Sequence, residues 1–263
     1  MSRQALFAFA GGLPAALAQR LEAPLICEME GMPTEIPDGY ERLSYRVETL
    51  GTLLQDLKAR GVAEVVFAGG LSRPAIDPSR IDAATMPLVP RLMGALGQGD
   101  DATLRAVIAV FEGEGFAVRA PHEVAPALLP PEGVLGAVPL PKGADPDAKR
   151  GAAILAAMGA ADVGQACVVR GGLCLAVEAL PGTDWMLDHL GDLAAGGMLC
   201  KGPKPGQDRR VDLPVIGPGT VARAAAAGLT SIVIEAGGVM VLEREAVIAA
   251  ADAAGIALWV RPA

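Results

Sequence analysis

Short apolar runs that stop at glycines, each followed by a stretch of helical periodicity, set the framework of this chain. Residues 5–10 form such a run and end at Gly11-Gly12. A helical pattern follows from Leu13 to Leu21, with Pro14 in its first turn, where a missing N–H costs nothing. A second apolar run, Pro24 to Cys27, completes strand, glycine turn, helix, strand, the opening of a βαβ unit. The pattern repeats with a helix over 50–60, a buried strand over 63–70 ending at Gly69-Gly70, helices over 82–97 and 100–113, and a strand over 115–121. Sequential βα units of this kind predict an α/β domain with a parallel sheet.

Residues 131–146 carry Pro131, Pro139, Pro141 and Pro146 among glycines and are expected to be a linker between an N-terminal domain, 1–130, and a C-terminal domain, 147–263. Beyond the linker the pattern changes to a mixed α/β one. A helix over 147–160 precedes two strands, 165–170 and 173–179, that flank Gly171-Gly172, a hairpin signal. A helix over 183–195, a strand over 197–201 and a polar loop to 215 follow. The chain then reads helix (219–227), strand (230–235), strand (238–242), helix (244–254) and strand (256–260).

Composition narrows the function. The 263 residues are 52% apolar but only 3% aromatic, so small aliphatic residues are expected to fill the core. A net charge of −8 and few rings for base stacking exclude nucleic acid as a partner read through the global field. None of the four cysteines is spaced C-x-x-C, and the two histidines, His122 and His189, are far apart, which argues against structural zinc. The cysteines are expected to be buried apolar residues in a reducing compartment. The apolar N-terminus is broken by glycines and Pro14 and reads as strand and turn rather than a signal peptide; no run of about 18 apolar residues occurs. A cytoplasmic protein is expected, with contact at a bilayer surface left open.

Several segments offer polar groups. Gly11-Gly12 is either a tight structural turn or a backbone cradle for phosphate, and Gly69-Gly70 lies at a strand's carboxyl end, with Ser72 and Arg73 following. No full G-x-G-x-x-G is present; Glu28 and Glu30 are the acids nearest the second strand end. Asp100 and Asp101 either cap a helix or hold a sugar hydroxyl or metal. His122, beside Glu123, is a structural histidine or a proton carrier. Glu178 lies in an apolar strand, Gln165 can hydrogen-bond a base or sugar, and Gly182, Thr183 and Asp184 begin a helix. The loop 200–220 holds Lys201, Lys204, Arg209 and Arg210 with Asp208 and Asp212, braced by prolines. Cations on phosphate oxygens beside a carboxylate that holds Mg²⁺ or orients water is what phosphoryl transfer requires.

Read together, "AGGLP" (10–14), "FAGGLSRP" (67–74), "GDDATLRAVIAVFEGEGF" (99–116), "HEV" (122–124), "DVGQACVV" (162–169), "LAVEALPGTDWML" (175–187), "KPGQDRRVDLPVIGPGTV" (204–221) and "EAGGVMVLEREAVIAAADAAGIAL" (235–258) resemble the UDP-2,3-diacylglucosamine pyrophosphatases without a calcineurin-like fold. The opening "FAFAGG" departs from the glycine triplet more usual there, and residues 29–50 match nothing in the family pattern. The resemblance implies a Rossmann-like N-terminal domain followed by a C-terminal catalytic domain. It implies hydrolysis of UDP-2,3-diacylglucosamine to UMP and 2,3-diacylglucosamine 1-phosphate (lipid X) in lipid A biosynthesis of Gram-negative bacteria. It also implies a divalent cation, usually Mg²⁺, a key aspartate at Asp212 in "RVDLP", and an apolar groove for the acyl chains between the domains.

The expected site therefore comprises Asp212 as catalytic residue and metal ligand, with Asp208 as a second ligand. Gly11, Gly12, Gly69, Gly70, Ser72, Asp100, Asp101, Gln165, Thr183, Asp184, Lys201, Lys204 and Arg210 are the expected substrate contacts. A homodimer and transient contact with the inner membrane remain open. The competing readings are a dinucleotide-dependent oxidoreductase and a non-catalytic nucleotide-sugar or lipid-binding protein.

Overall fold

The computed structural model describes residues 3–71, 74–96 and 100–262, and the chain divides into two compact units, Met1–Pro126 and Ala127–Ala263. The first unit is built on β1 (Arg3–Ala8), α1 (Leu13–Ala18), β2 (Leu25–Met29), β3 (Arg42–Tyr45), α2 (Leu50–Ala59), β4 (Val62–Ala68), α3 (Val89–Leu96), α4 (Asp100–Gly113), β5 (Ala117–Arg119) and α5 (Pro121–Val124). Its five strands are all parallel in the order β3-β2-β1-β4-β5. That is the doubly wound order, with the direction of winding reversing between β1 and β4. Both faces of the central strands are covered, which is why β1, β2 and β4 are continuous apolar runs. The few aromatics are concentrated here: Phe7 packs on Phe67, Phe111 and Tyr45 at ring separations of 4.8–5.5 Å, and Phe111 on Phe116.

Strand β3 lies in the stretch for which no pattern was recognised. The crossover to it, residues 30–41, contains no helix. Arg42 knits that crossover instead, donating to the carbonyls of Ile36 (2.8 Å) and Pro37 (2.9 Å) and pairing with Glu28. The helix expected over 82–97 begins only at Val89. Two 3₁₀ turns, Pro78–Arg80 and Met86–Leu88, precede it, and Pro90 falls in the helix's first turn, where its missing N–H costs nothing.

The second unit contains β6 (Gly133–Leu135), α6 (Ala144–Ala160), β7 (Ala166–Arg170), β8 (Leu173–Val177), α7 (Gly182–Asp188), β9 (Met198–Lys201), β10 (Val215–Ile216), α8 (Pro218–Ala226), β11 (Ser231–Glu235), β12 (Met240–Val241), α9 (Arg244–Ala254) and β13 (Ala257–Arg261). Its main sheet runs β6-β13-β11-β9-β7-β8. Strands β9, β11 and β13 are parallel and the others antiparallel; β10 and β12 form a small parallel pair. Side chains alternate across the sheet as strand geometry requires. Ala166, Val168, Leu199, Ile232, Ile234, Leu258 and Val260 face a core with Met186, Val221 and Val247. Cys167, Val169, Met198, Cys200 and Val233 face the other way, onto Ala144, Ala148 and Met158 of α6.

Three expectations are corrected here. Residues 131–146 are not a linker: β6 pairs antiparallel with β13, and α6 starts at Ala144 because Pro146 sits in its first turn. The helix expected over 183–195 ends at Asp188, and Gly191, at φ +56°, separates it from a 3₁₀ turn, Gly191–Ala194. Cys27, Cys167 and Cys200 are buried, but Cys174, on the β8 edge strand, is exposed. The glycine hairpin is as expected: Gly171 and Gly172 both have positive φ, and their N–H groups donate to the Asp147 carboxylate. Among the described residues no helix is long and apolar enough to cross a membrane.

Candidate active site

In the second unit the parallel strands β9, β11 and β13 end at one edge of the sheet. The register sets Lys201 beside Ile234, and Glu235 beside Arg261. Strand β7 runs the other way, so its first residue, Ala166, lies opposite Lys201, and Gln165 just before it reaches the same edge. The Gly202 N–H donates to the Gln165 carbonyl at 3.1 Å. A cavity of about 240 Å³ opens here. It is lined by Ala152, Leu155 and Ala156 of α6, the loop from Lys201 to Gln207, Arg209, Glu235 and Arg261. Ligands to α/β sheets bind outside the carboxyl ends of parallel strands, and this cavity is so placed.

The most deeply set polar groups form a chain. Lys201 Nζ donates to Thr183 Oγ1 (2.9 Å), and Thr183 Oγ1 donates to Glu178 Oε1 (2.9 Å). The second oxygen of Glu178 accepts the Gln165 backbone N–H at 2.9 Å. Glu178, Thr183 and Lys201 are each at least nine-tenths buried. Burial pushes the Lys201 amine below the ordinary lysine range, while the negative charges of Glu178 and Asp184 act in the opposite direction. The side-chain oxygen of Gln165 is buried with no hydrogen-bond partner among the described residues.

The loop after β9 positions Asp212. Gln207, itself buried, donates through Nε2 to Asp212 Oδ2, while its Oε1 accepts the Lys204 backbone N–H at 3.0 Å. Asp212 is half-buried. The other loop charges pair with one another or with neighbours. Arg210 grips both oxygens of Asp208 (3.0 and 2.7 Å), Lys204 reaches Asp162 (2.6 Å), and Arg209 reaches Glu235 (3.3 Å). Asp184 is exposed and pairs with Arg223 at 3.4 Å.

The structure thus gathers Gln165, Thr183 and Lys201 at one sheet edge; of the expected residues, Lys201 and Lys204 line the cavity, and Gln165 and Thr183 do not. Asp212 is joined to the cavity wall through Gln207. Asp208 and Arg210 satisfy each other, so the second expected metal ligand has a bidentate partner already. The expected residues of the first unit lie at its winding reversal. Gly70 and Ala10 exchange backbone hydrogen bonds (2.9 and 3.2 Å), which draws the Gly11-Gly12 and Gly69-Gly70 turns together. Gly69 has φ +98°, and a Cβ there would stand 2.6 Å from the Ala10 carbonyl oxygen, so only glycine fits. Ser72 and Arg73 lie outside the described residues. Asp100 and Asp101 begin α4, their side chains likewise outside the description. Glu28 is taken up by Thr34 and Arg42, Glu30 by Arg46, and Glu123 by Arg119 and the Ala120 N–H at the start of α5. His122 is in α5 of this unit.

Gln207, Glu235 and Arg261 were not expected in the site. The last two end strands that were recognised, so a parallel arrangement of those strands would have pointed to them. Among the described residues no three His, Cys, Asp or Glu side chains are grouped as a metal cage. Mg²⁺ does not need one: it is commonly held by one or two carboxylates, waters and the substrate's phosphate oxygens. The Asp212 carboxylate has the chemistry for one such position, so the residues present fit a cation of that kind.

Comparison with known proteins gives a consistent result. The family model of the LpxI N-terminal domain matches residues 3–128, and that of the LpxI C-terminal domain matches 131–259. The UDP-2,3-diacylglucosamine pyrophosphatase LpxI of Caulobacter vibrioides is 40% identical over 270 residues, covering 97% of this chain and 96% of that protein. With both units matched in order and nearly the whole length aligned, the chain belongs to the LpxI family.

Proposed function

We propose that this chain hydrolyses the pyrophosphate of UDP-2,3-diacylglucosamine, releasing UMP and 2,3-diacylglucosamine 1-phosphate for lipid A biosynthesis. The observation that carries this reading is the 40% identity to a UDP-2,3-diacylglucosamine pyrophosphatase along 97% of the chain. The chemistry at the sheet edge supports it. Attack of water on a phosphoanhydride builds negative charge on the phosphoryl oxygens and on the departing phosphate. Lys201 and Lys204 are the cations expected to offset it, and Gln165 offers an amide to the ligand. The glycine turns at the winding reversal of the first unit are the proposed holders of the nucleotide part through backbone N–H groups.

Asp212 has one oxygen fixed by Gln207, and its role is to hold Mg²⁺ or to accept a proton-side hydrogen bond from the attacking water. When bound, Mg²⁺ supplies charge neutralisation at the diphosphate oxygens. Arg210 would serve the substrate only by leaving Asp208. Because the substrate is a lipid, the proposed setting is cytoplasmic with transient contact at the inner-membrane surface.

Incubation with UDP-2,3-diacylglucosamine should release UMP, and a chelator should stop it. Asp212→Ala should lower turnover by about 10²–10⁴-fold while substrate still binds. Undiminished UMP release by that variant would reject the role of Asp212, and no release by the wild type would reject the reaction.

A further inference from the structure

Cys167 and Cys200 stand directly opposite each other in the antiparallel pair β7–β9. The Gly202 N–H donates to the Gln165 carbonyl, which makes 165 and 202 a hydrogen-bonded residue pair. Pair types alternate along an antiparallel ladder, so Cys167 and Cys200, two residues further in on each strand, are again a hydrogen-bonded pair. The Cα atoms of such a pair are about 5.5 Å apart, inside the window of roughly 4.4–6.8 Å that a disulfide spans.

The sulfurs also converge. Both side chains leave the sheet on its α6 face. Cys167 Sγ donates toward the Gly151 carbonyl at 3.7 Å, and a Cβ added to Gly151 would stand 2.3 Å from Cys200 Sγ. One residue of α6 therefore covers both thiols. The interaction with the Cys200 sulfur, followed by burial, pushes the Cys167 thiol up. Cys167 thus keeps its proton, while Cys200 lines the cavity, where a small solute can meet it. The remaining cysteines are placed differently: Cys27 is on β2 of the first unit, and Cys174 on β8 stands opposite Val169.

We propose that Cys167 and Cys200 form an oxidation site: hydrogen peroxide entering the cavity converts the pair to a cross-strand disulfide, and closure of that bond slows turnover. In the first step the Cys200 thiolate attacks the O–O bond. An S–O bond forms, giving the sulfenic acid, and the departing hydroxide takes up the thiol proton as water. The Cys167 sulfur then attacks the sulfenic sulfur. The S–S bond forms, the S–O bond breaks, and the leaving hydroxide departs as water with the Cys167 proton. Two thiols have lost two electrons and two protons, and one peroxide has become two waters. To bond, Cys200 Sγ must leave its place beneath Gly151 and in the cavity wall. The next residue is Lys201, which heads the loop carrying Lys204, Gln207 and Asp212. Only the effect on turnover rests on the pyrophosphatase reading above.

The test uses the full-length protein with Cys174→Ser, which removes the exposed thiol and leaves Cys27, Cys167 and Cys200. The native protein is treated with hydrogen peroxide, then alkylated in denaturant and weighed by intact mass spectrometry. Two of the three thiols should escape alkylation, and dithiothreitol should restore both. Proteolysis should yield one peptide pair, joined through Cys167 and Cys200. Cys167→Ala in the same background should give no cross-link; if that variant does not fold, Cys200→Ala carries the same comparison. UMP release should fall about tenfold or more in the oxidised protein and return with dithiothreitol, because displacing a loop beside the reaction costs rate. Thiols that stay open to alkylation, or that gain oxygen without cross-linking, overturn the site. A disulfide that leaves UMP release unchanged overturns its control of turnover. Absence of UMP release by the untreated protein overturns the parent reading, and the mass still decides the thiol pair.

Discussion

Gln207 is the uncharged residue on which the arrangement of the charged loop depends. Its amide is fixed at both ends, accepting from the Lys204 N–H and donating to Asp212. Gln207→Leu keeps much of the buried volume but removes this hydrogen bond to the carboxylate. It should lower kcat about ten- to a hundredfold with KM little changed, because misplacing a group near the reaction costs rate more than affinity. Steady-state UMP release measures this, and an unchanged kcat would remove Gln207 from the mechanism. The sequence made Lys201, Lys204, Arg210, Asp208 and Asp212 conspicuous but did not show which of them neutralise one another. Asp208 and Arg210 are two residues apart and close a pair, whereas Lys204 meets Asp162 across 42 positions. Composition reports charge, and only the fold decides whether a charge is already satisfied. Glu178 was noticed for the opposite reason: an acid in an apolar strand needs a partner, and the partners proved to be Thr183 and the Gln165 N–H.

At the scale of single elements, α6 shows how packing sets the site. Gly151 faces β9 so closely that an added Cβ would lie 2.3 Å from Cys200 Sγ and 2.8 Å from Cys200 Cβ. Two turns on, Gly159 would meet Pro205 at 2.4 Å and the Lys204 Cα at 3.2 Å. The helix was legible from its period, but the glycines in it read only as weak points. Their use is to let the helix lie against the strand and the loop that carry Lys201 and Lys204. Gly151→Ala gains helix propensity of about 1 kcal/mol, yet it should lose about 1–3 kcal/mol net in urea unfolding, because the strand side chain cannot retreat into an occupied core. A stabilised variant would show that α6 can tilt freely. In the first unit, the turn before α2 carries a second element-scale prediction. Glu48 is 3% exposed and accepts the Asp77 N–H (2.9 Å) and a bond from Arg46. The Asp77 N–H, followed by the residue's own backbone N–H and then the Arg46 guanidinium, holds its carboxyl below the usual glutamate value of 4.5 despite burial. A carboxylate with a depressed folded pKa stabilises above its unfolded value and loses that contribution as pH falls through the folded one. Glu48→Gln should therefore cost about 1–3 kcal/mol at neutral pH, and the difference in melting temperature should shrink as pH drops below 4.5.

For the whole molecule, the α/β class and most strands could be read from the chain, because strands buried on both faces are apolar runs with glycine ends. Two stretches could not. Strand β3, "RLSY", is short and only partly buried, so it carries no apolar signature. Residues 131–146 look like a linker because prolines and glycines also suit an edge strand and a helix's first turn. That difference yields a test of where the second unit begins. Its sheet is completed by β6, whose Leu135 packs on one core, while Leu140 and Ala144 pack on the other. The Ala137 N–H is also bound by Asp252 of α9 at 2.7 Å. A fragment of residues 127–263 keeps all of these, whereas one starting at 147 leaves β13 with an open edge and strips two leucines from the cores. The longer fragment should unfold cooperatively in urea, as a unit with its own core does. The shorter one should be less stable by at least about 2 kcal/mol, the order expected for losing two partly buried leucine side chains, or should not fold. Equal midpoints and slopes for the two would return residues 131–146 to the role of a tether. Loss of cooperative unfolding in the longer fragment would mean that this unit cannot stand without residues 1–126.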